Sequence, residues 1–331
     1  MKLIVQIPCF NEEKTLPLVL TSIPKKIEGI DEIETLIIDD GSSDNTVGVA
    51  KKYGVHHIVI HPQNKGLARA FANGISEALR YDADIIVNTD ADNQYYQQDI
   101  PKLIRPILEG NADIVIGDRQ TSTITHFSKA KKGFQRLGSA TVRFLSGTKV
   151  PDAVSGFRAY SREAALHLNI ITDFSYAIET IIQAKYKRLS ITSVKIRTND
   201  PTRKSRLFKN TFQHMRQSAA TLLRVYTMYQ PFRVFFAIGL LLFFTGFLLA
   251  GRFIFFFLLG QGTGHVQSLI LSAVLMLIGF QVVLTGLLAD LMGINRKLLE
   301  ENLKRVKQVE LRQQKGISVP AKYSPHSYTV N

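Results

Sequence analysis

Two carboxylates stand one residue apart directly after an apolar segment of the sequence. The stretch from Val87 to Tyr95 reads VNTDADNQY, and its acids are Asp90 and Asp92. In an extended chain, side chains at positions i and i+2 leave the same face, so these two charges are expected to lie close together. Like charges at short range repel each other unless a cation lies between them. The pair therefore predicts a cation site.

The residue types in this stretch favour a hard divalent ion. Carboxylate oxygens with an amide neighbour suit Mg²⁺ or Mn²⁺, which proteins commonly bind through one or two carboxylates together with substrate phosphates. We therefore expect Asp90 and Asp92 to hold a metal ion, and the metal ion to hold a diphosphate.

Short β-like segments recur along the first part of the chain and must position these acids. They are Leu3 to Ile7, Glu34 to Asp39, His57 to His61, Asp84 to Thr89 and Asp113 to Gly117. Helix-like segments separate them, and the clearest, NKGLARAFANGISEALR, has its apolar residues at helical spacing. Strands that alternate with helices predict an α/β fold, in which a mostly parallel sheet is covered by flanking helices.

Three of the predicted strands end in polar residues. These ends read IPCFNEE from Ile7, IIDDGSSDNT from Ile37 and TDADNQ from Thr89. N-caps of the following helices would explain any one of them, because Asn, Ser and Asp are common caps. Caps explain poorly why three such ends converge, whereas ligands of parallel sheets bind beyond the carboxyl ends of the strands. We therefore expect a ligand site at this edge.

The composition divides the chain near residue 230. Residues 1–230 mix charged and apolar positions, whereas residues 234–289 carry a single charge, Arg252. Two apolar runs, at about 232–259 and 266–290, each exceed the roughly 18 to 20 residues that span a hydrocarbon core. They predict a C-terminal α-helical membrane hairpin, because helices of a soluble core seldom stay apolar on every face for this length.

The charges beside the apolar runs predict the orientation of the hairpin. Residues 201–233 hold seven Lys or Arg and no acid, eight Lys or Arg oppose three Glu after Leu291, and the turn 260–267 has no Lys or Arg. By the positive-inside rule both flanks are cytosolic. We therefore expect a multi-pass protein of the plasma (inner) membrane. The lone cysteine, Cys9, suits a reducing compartment.

The net charge of +14 predicts an anionic partner. Much of this charge lies beside the apolar runs, where Lys and Arg gain about 1 kcal/mol each from anionic lipid. Nucleic acid would also attract a basic chain, but no recognised nucleic-acid motif is present in the sequence. We expect a lipid bilayer as partner and no nucleic acid. Gly246, Gly279 and Gly286 would allow close helix contact, which is compatible with a homo-oligomer.

The motifs, taken in order, resemble those of family 2 glycosyltransferases of the GT-A fold. They are IPCFNEE, IIDDGSSDNT, NKGLARAFANGI, DADNQ and DAVSGFRAYSREA, the last starting at Asp152. Within this family the chain is most similar to the polyprenyl-phosphate glycosyltransferases, of which dolichyl-phosphate mannose synthase is the best-known type. Composition and the resemblance together predict a cytosolic catalytic domain at 1–200, two transmembrane helices within 231–291 and a basic cytosolic tail at 292–331. The region 201–230 mixes apolar residues with Lys and Arg, which fits an interfacial amphipathic helix and equally a linker helix packed on the catalytic domain.

The resemblance also implies roles for particular residues. The positions that line the nucleotide sugar are implied to be Pro8, Phe10, Glu12, Asp39, Asp90, Ala91, Asp92, Gln94 and Arg119. The metal ligands, for Mg²⁺ or Mn²⁺, are implied to be Asp90, Asp92 and Gln94. The acceptor phosphate is implied to lie near Arg158, Arg203 and Arg206, although PTRKSRLF stands here where the family often has a Gly-Ser-Lys-like stretch.

The implied reaction is an inverting transfer of a sugar from a UDP- or GDP-linked donor to a polyprenyl phosphate, undecaprenyl or dolichyl. Departure of the diphosphate builds negative charge, which a metal ion and arginines stabilise. This is the role expected of Asp90, Asp92 and Arg119, with Arg158 as a further candidate beside the acceptor. An ionised phosphate acceptor needs a general base less than a hydroxyl does, and Asp152 is the candidate if a base is used.

Three other functions fit parts of the pattern. Processive polysaccharide synthases share the nucleotide motifs, but they resemble one another in a Gln-x-x-Arg-Trp motif and this chain has no tryptophan. A nonprocessive transferase to a lipid or other hydroxyl acceptor would turn over acceptors that lack phosphate. An inactive membrane scaffold with a GT-A fold would bind no nucleotide sugar, and the retained acids of DADNQ and IIDDGS speak against it.

Overall fold

A computed structural model of the chain describes residues 1–120, 150–171, 176–200, 220, 223–224, 226–260 and 266–314. The chain divides into two compact units, one made of Met1–Leu222 with Asn302–Asn331 and the other of Leu223–Glu301. A sheet and its helices form the described part of the first unit, and an apolar helical hairpin dominates the second.

Seven strands form one mixed sheet in the first unit. In chain order they are β1 (Lys2–Cys9), β2 (Glu32–Asp39), β3 (His57–Ile60), β4 (Ile85–Asn88), β5 (Ile114–Asp118), β6 (Arg158–Ser161) and β7 (Ile191–Lys195). Their order across the sheet is β3-β2-β1-β4-β6-β5-β7. All neighbours pair in parallel except β6, which is antiparallel to both β4 and β5.

The sheet confirms the predicted α/β class. Strands β1 to β5 lie where the apolar segments predict them, whereas the sequence analysis did not identify β6 and β7. These two strands read RAYS and ITSVK. Segments this short and polar give little of the alternation by which a strand is recognised.

Helices cover the sheet between the strands. They are α1 (Leu16–Ser22), α2 (Thr46–Lys52), α3 (Leu67–Arg80), α4 (Ile100–Leu108), α5 (Arg162–His167) and α6 (Tyr176–Tyr186). The predicted apolar face of α3 packs on β1 and β2. Gly74 makes this approach close, because a Cβ there would lie 2.5 Å from the side-chain oxygen of Gln6 and 2.7 Å from Cδ1 of Ile38.

The core centres on β1. Leu3, Ile4, Val5 and Ile7 are all fully buried. Their burial explains the continuous apolar run of LIVQI, because a strand between other strands and covered on both faces has no solvent-facing side. Each such side chain contributes about 1.5–3 kcal/mol of transfer free energy. The polar segments that follow the strands are thus attached to a tightly packed sheet.

The strand directions bring the polar segments to one edge of the sheet. The carboxyl ends of β1, β2 and β4 lie together because these strands are parallel, and Cys9 pairs with Asp39 in register. The antiparallel β6 contributes its amino end instead, where Arg158 pairs with Asn88 at the end of β4. The parallel direction of β1, β2 and β4 therefore explains why the three polar segments converge, as predicted. The antiparallel β6 adds a fourth chain segment to the same edge.

Two long helices, α7 (Pro231–Leu258) and α8 (Val266–Gln314), carry the apolar runs. Both are long and apolar enough to cross a membrane, with hydropathies of 2.4 and 2.3. Helix α8 continues well past the second apolar run. Its later residues are mainly Lys, Leu, Glu, Arg and Gln, which favour helix, and the first Gly or Pro after Gly293 is Gly316.

Small residues lie between α7 and α8. A Cβ at Gly239 would come 2.7 Å from the carbonyl oxygen of Gly279, and one at Gly246 would come 2.9 Å from that of Ser272. The Ser272 hydroxyl donates a 2.7 Å hydrogen bond to the Gly246 carbonyl. Together with Gly286, these glycines face the other helix of the hairpin. This corrects their expected availability for a homo-oligomer, because contact within the chain already uses them.

We expect Gly239→Leu to destabilise the hairpin, because the added side chain would collide with backbone atoms of α8. Overpacking of this kind typically costs about 1–3 kcal/mol. Gly251→Leu is the matched control in the same helix, since among the described residues nothing lies within 4 Å of a Cβ at that position. The measurement is the temperature at which half of the detergent-solubilised protein remains monodisperse. Equal temperatures for the two variants would contradict the packing.

Candidate active site

Asp90 and Asp92 lie in the turn that leaves the end of β4. The Oδ1 atom of Asp92 accepts a 3.0 Å hydrogen bond from the backbone N–H of Gln94. Between them, Asn93 has a φ of 61°, a left-handed conformation that Asn tolerates better than most residues. The turn is therefore tight, and it places both carboxylates beyond the carboxyl edge of the sheet.

Buried residues contact the Asp90 carboxylate and fix its position. A Cβ on Gly156 would lie 2.8 Å from Asp90 Oδ1 and 2.9 Å from Oδ2, so the carboxylate lies directly against this glycine. The Tyr95 hydroxyl accepts a 2.8 Å hydrogen bond from the Gly156 N–H and also bonds to Asp90. The Tyr95 ring stacks on Phe157 with centroids 5.2 Å apart. Any side chain at position 156 would displace the carboxylate.

The negative charge of Asp90 is only partly balanced by its surroundings. The pKa of Asp90 is raised to about 7, first by burial and then by the negative charge of Asp92, while Arg119 acts in the opposite direction. Glu12 also contributes to the rise. A divalent cation between the two acids would reverse this balance by favouring both charged forms. The site is therefore built to accept positive charge.

Arg119 follows β5 and forms a bidentate ion pair with Asp152. Its Nε lies 2.7 Å from Oδ2 and its Nη2 lies 3.0 Å from Oδ1. Burial opposes the charge of Arg119, but Tyr95, Asp152 and Asp90 together raise its pKa. Such two-point pairs fix orientation as well as charge. Both carboxylate oxygens of Asp152 are engaged, so its geometry suits the positioning of Arg119 better than the general-base role considered from the sequence.

Arg158 occupies a different place from the one predicted. It is fully buried, and its guanidinium donates to three backbone carbonyls and one hydroxyl at 2.7–2.8 Å. These acceptors are the carbonyls of Ser155, Ala177 and Ala153 and the hydroxyl of Thr180. The prediction that Arg158 binds the acceptor phosphate is therefore wrong. The SGFR motif marks an internal clamp between the loop before β6 and helix α6.

The residues predicted to line a nucleotide surround the ends of β1 and β2. Pro8 and Asp39 are buried, Glu12 is 8% exposed and Phe10 is 43% exposed. Asp39 accepts a hydrogen bond from Ser42 N–H through Oδ2, whereas its Oδ1 has no hydrogen-bond partner within the described part of the chain. A buried oxygen without a partner is costly, so it is suited to accept from a ligand. The exposed ring of Phe10 offers a planar surface directly after Cys9, the residue that pairs with Asp39 in the sheet.

The remaining predicted residues divide into two groups. Ala91 is buried and Gln94 half-buried within the turn, whereas Arg203 and Arg206 lie outside the described residues. Across the described ranges, no group of three or more His, Cys, Asp or Glu side chains is arranged to hold a metal ion.

The sequence analysis did not identify Tyr95, Gly156 and Asn88 as parts of the site. Asn88 is buried, and its Nδ2 donates to the Gly156 carbonyl at 2.8 Å and to the Tyr176 hydroxyl at 3.1 Å. Asn88 thereby fixes the glycine on which Asp90 lies. A polar residue at the end of an otherwise apolar strand was a usable signal for Asn88, whereas the contact between Gly156 and Asp90 spans 66 positions and leaves no local trace.

Comparison with known proteins gives three findings. Residues 4–168 match the family model described as glycosyl transferase family 2. A UDP-N-acetylglucosamine–dolichyl-phosphate N-acetylglucosaminyltransferase from Methanococcus voltae is 31% identical over 217 residues, which covers 58% of this chain and 83% of that protein. An undecaprenyl-phosphate mannosyltransferase from Micrococcus luteus is 28% identical over 199 residues, covering 57% and 79%.

A solved structure supports the same placement. Glucosyl-3-phosphoglycerate synthase from Mycobacterium tuberculosis, in complex with Mn²⁺, UDP and glucosyl-3-phosphoglycerate, aligns with a TM-score of 0.54 and 25% identity. The alignment covers 68% of this chain and 79% of that one.

We expect Asp90→Asn to stabilise the metal-free protein at pH 8. The pKa of Asp90 rises from an ordinary value of 3.8 to about 7 on folding, so the cost of its charge is fully present above pH 7 and declines as the pH falls. Thermal unfolding in EDTA can be followed with a thiol-reactive dye, because Cys9 is the only cysteine and is buried. The advantage of the variant should shrink between pH 8 and pH 6. A variant no more stable than wild type at pH 8 would contradict the electrostatic account.

Proposed function

The chain belongs to glycosyl transferase family 2, and on that premise we propose that it transfers a sugar from a nucleotide-diphosphate sugar to a polyprenyl phosphate. The chain is a hexosyltransferase with the GT-A fold that the motifs imply. The observation that carries the proposal is the half-buried carboxylate of Asp90, whose raised pKa reflects the neighbouring charge of Asp92 and is opposed by Arg119, at the carboxyl edge of the sheet.

Asp90 and Asp92 would hold a divalent ion, Mg²⁺ or Mn²⁺. The residues fit such an ion, because the two carboxylates of one turn repel each other and Arg119 offsets only part of this repulsion, as the raised pKa of Asp90 indicates. The Mn²⁺ in the complex of the M. tuberculosis synthase supports this choice. When bound, the ion would neutralise the donor diphosphate and stabilise the charge that develops as it leaves. Gln94 stays a proposed ligand.

Arg119 would face the same diphosphate. Its ion pair with Asp152 keeps the guanidinium oriented before the donor arrives, so no reorganisation is needed when charge builds on the leaving group. Asp152 would act through Arg119 as a positioning residue. Arg119 still has N–H donors beyond the two in the ion pair, because a guanidinium carries five.

The nucleotide would lie across the ends of β1 and β2. The Oδ1 atom of Asp39 can accept from a base N–H or a ribose hydroxyl, and Phe10 can contact a planar base. Pro8 and Glu12 complete this side of the proposed pocket. The names of the relatives support a sugar nucleotide as donor, and UDP is the nucleotide named for two of them.

The acceptor is proposed to be a polyprenyl phosphate of the undecaprenyl or dolichyl class. The activities for which the M. voltae and M. luteus relatives are named support it, and so do the two apolar helices. A phosphate oxygen is largely ionised near neutral pH, so inverting displacement would need cationic positioning more than a base. Arg203 and Arg206 stay proposed for this task, and Arg158 leaves the set because internal carbonyls occupy it.

The proposed location is the cytosolic face of the plasma (inner) membrane. Helices α7 and α8 would cross the bilayer, the region 201–230 would lie along the interface, and the catalytic domain 1–200 and tail 292–331 would stay in the cytosol. The basic flanks are the supporting observation, since the positive-inside rule counts Lys and Arg near the span ends.

Sugar transfer by the purified protein tests the reaction. Radiolabelled UDP- and GDP-sugars are offered with polyprenyl phosphate, with and without Mn²⁺ or Mg²⁺. We expect one donor to give a metal-dependent, acid-labile glycolipid. Product only with acceptors that carry a free hydroxyl would favour the hydroxyl-acceptor alternative, and absence of nucleotide-sugar binding would favour an inactive scaffold.

Gly156→Ala is expected to lower this transfer at least about 100-fold, because the added Cβ would displace the Asp90 carboxylate that lies 2.8 Å away. The matched control is Gly293→Ala, since a Cβ there meets nothing within 4 Å among the described residues. Thiol-dye unfolding of both variants checks that the fold is retained. Transfer by Gly156→Ala within threefold of the control would contradict the proposed site.

Cysteine labelling tests the proposed topology. In a Cys9→Ser background, a cysteine at Gly262 should react with a membrane-impermeant maleimide added to intact cells, because the turn is expected outside. A cysteine at Lys315 should react only after the cells are opened. Labelling in the reverse pattern would place the catalytic domain outside the cytosol and overturn the proposed location.

A further inference from the structure

A short segment after β7 pairs with the turn that carries the two acids. We call residues 196–200 the strap. The Asn199 N–H donates to the Gln94 carbonyl at 2.9 Å, and the Tyr96 N–H donates to the Arg197 carbonyl at 3.3 Å. Tyr95 and Thr198 form an antiparallel bridge between these bonds. The strap therefore lies beside the turn as an extra, very short strand.

The Asn199 side chain forms hydrogen bonds with the turn on both sides of Gln94. Its Nδ2 donates to the Asn93 carbonyl at 3.0 Å, to Asn93 Oδ1 at 3.3 Å and to the Tyr95 carbonyl at 3.2 Å. One amide group thus spans the residue with a φ of 61° and holds both sides of the turn together. Gln94, which the strap holds by its carbonyl, donates its N–H to Asp92.

A second contact fastens the strap to the chain beyond the turn. Asp99 is fully buried and accepts from the Arg197 N–H at 2.8 Å and from Arg197 Nη2 at 2.6 Å. The guanidinium of Arg197 also lies 4.1 Å from the centre of the Tyr96 ring. Burial would raise the pKa of Asp99, but its hydrogen bonds with Arg197 and Lys102 lower it to about 2. The pair is therefore charged at any working pH.

We propose that Asn199 and Arg197 are positioning residues that hold Asp92 beside Asp90 in the arrangement that one divalent cation can share. This inference rests on the proposed function, because it concerns how the metal and diphosphate site is assembled. Repulsion between the two carboxylates favours a turn in which Asp92 moves away from Asp90. The hydrogen bonds of Asn199 oppose that movement. Their loss is expected to appear mainly as weaker cation binding.

Mn²⁺ binding by the full-length protein in detergent tests the proposal. Free Mn²⁺ is measured by electron paramagnetic resonance in the presence of a saturating concentration of the nucleotide, UDP or GDP, that the wild-type protein binds. We expect Asn199→Ala to weaken Mn²⁺ binding about tenfold, the effect of roughly one lost hydrogen bond. Metal-free nucleotide binding should be unchanged, because Asn199 bonds to the turn at Asn93, Gln94 and Tyr95 and the proposed base pocket lies at the ends of β1 and β2.

Two further variants separate positioning from general destabilisation. Asn111→Ala is the matched control, since its exposed amide donates to Glu109 at the turn after α4. Asn199→Ser keeps one donor and should give an intermediate affinity, and it decides the test if the alanine variant does not fold. Arg197→Lys keeps the charge beside Asp99 but loses the two-point contact, so a smaller weakening is expected.

The outcomes distinguish this inference from the proposed function. Mn²⁺ affinities of both Asn199 variants within twofold of wild type would overturn the inference and leave the function untouched. Equal weakening of nucleotide binding with and without Mn²⁺ would also overturn it, because that pattern indicates a merely structural role. A wild-type protein that binds neither Mn²⁺ nor either nucleotide, UDP or GDP, would overturn the proposed function, and the inference with it.

Discussion

Repulsion between Asp90 and Asp92 is the interaction around which this end of the molecule is organised. Two half-buried acids in one tight turn do not stay together unless other groups hold them. Gly156 and Tyr95 hold Asp90, and Gln94 holds Asp92 through its N–H. The result is a concentration of negative charge on a rigid edge, which a divalent ion and a diphosphate can complete together.

The buried apolar residues of the sheet offset the free-energy cost of that arrangement. Its central strand, β1, is wholly apolar at its buried positions except Gln6, and the polar residues begin only where the strands end. Buried polar side chains lie behind the site: Gln6 donates to Asn88, Asn88 donates to the Gly156 carbonyl, and Arg158 donates to the carbonyls of Ser155 and Ala153 in the loop before β6. The buried parts of the strands thus stabilise the fold, and the residues that follow their carboxyl ends form the proposed site.

The sequence predicted most of this architecture, because long apolar runs and their polar ends are local signals. Strands β1 to β5, helix α3 and both apolar helices follow from periodicity and composition. Arg158 shows the limit of such reasoning. The arginine of the SGFR motif was assigned to a phosphate, but its role depends on carbonyls and a hydroxyl up to 22 positions away that only folding brings together. The strap residues Arg197 and Asn199 were missed for the same reason, since their partners lie about 100 residues earlier.

The central claim is that the carboxylate pair binds a nucleoside diphosphate through a shared metal ion. Calorimetric titration of wild type and Asp92→Asn with UDP and GDP, each with and without Mn²⁺, tests it most directly. We predict that Mn²⁺ strengthens binding of one nucleotide to wild type at least about tenfold, and that Asp92→Asn loses this gain while keeping the weak metal-free affinity. Equal strengthening by Mn²⁺ in both proteins would contradict the claim.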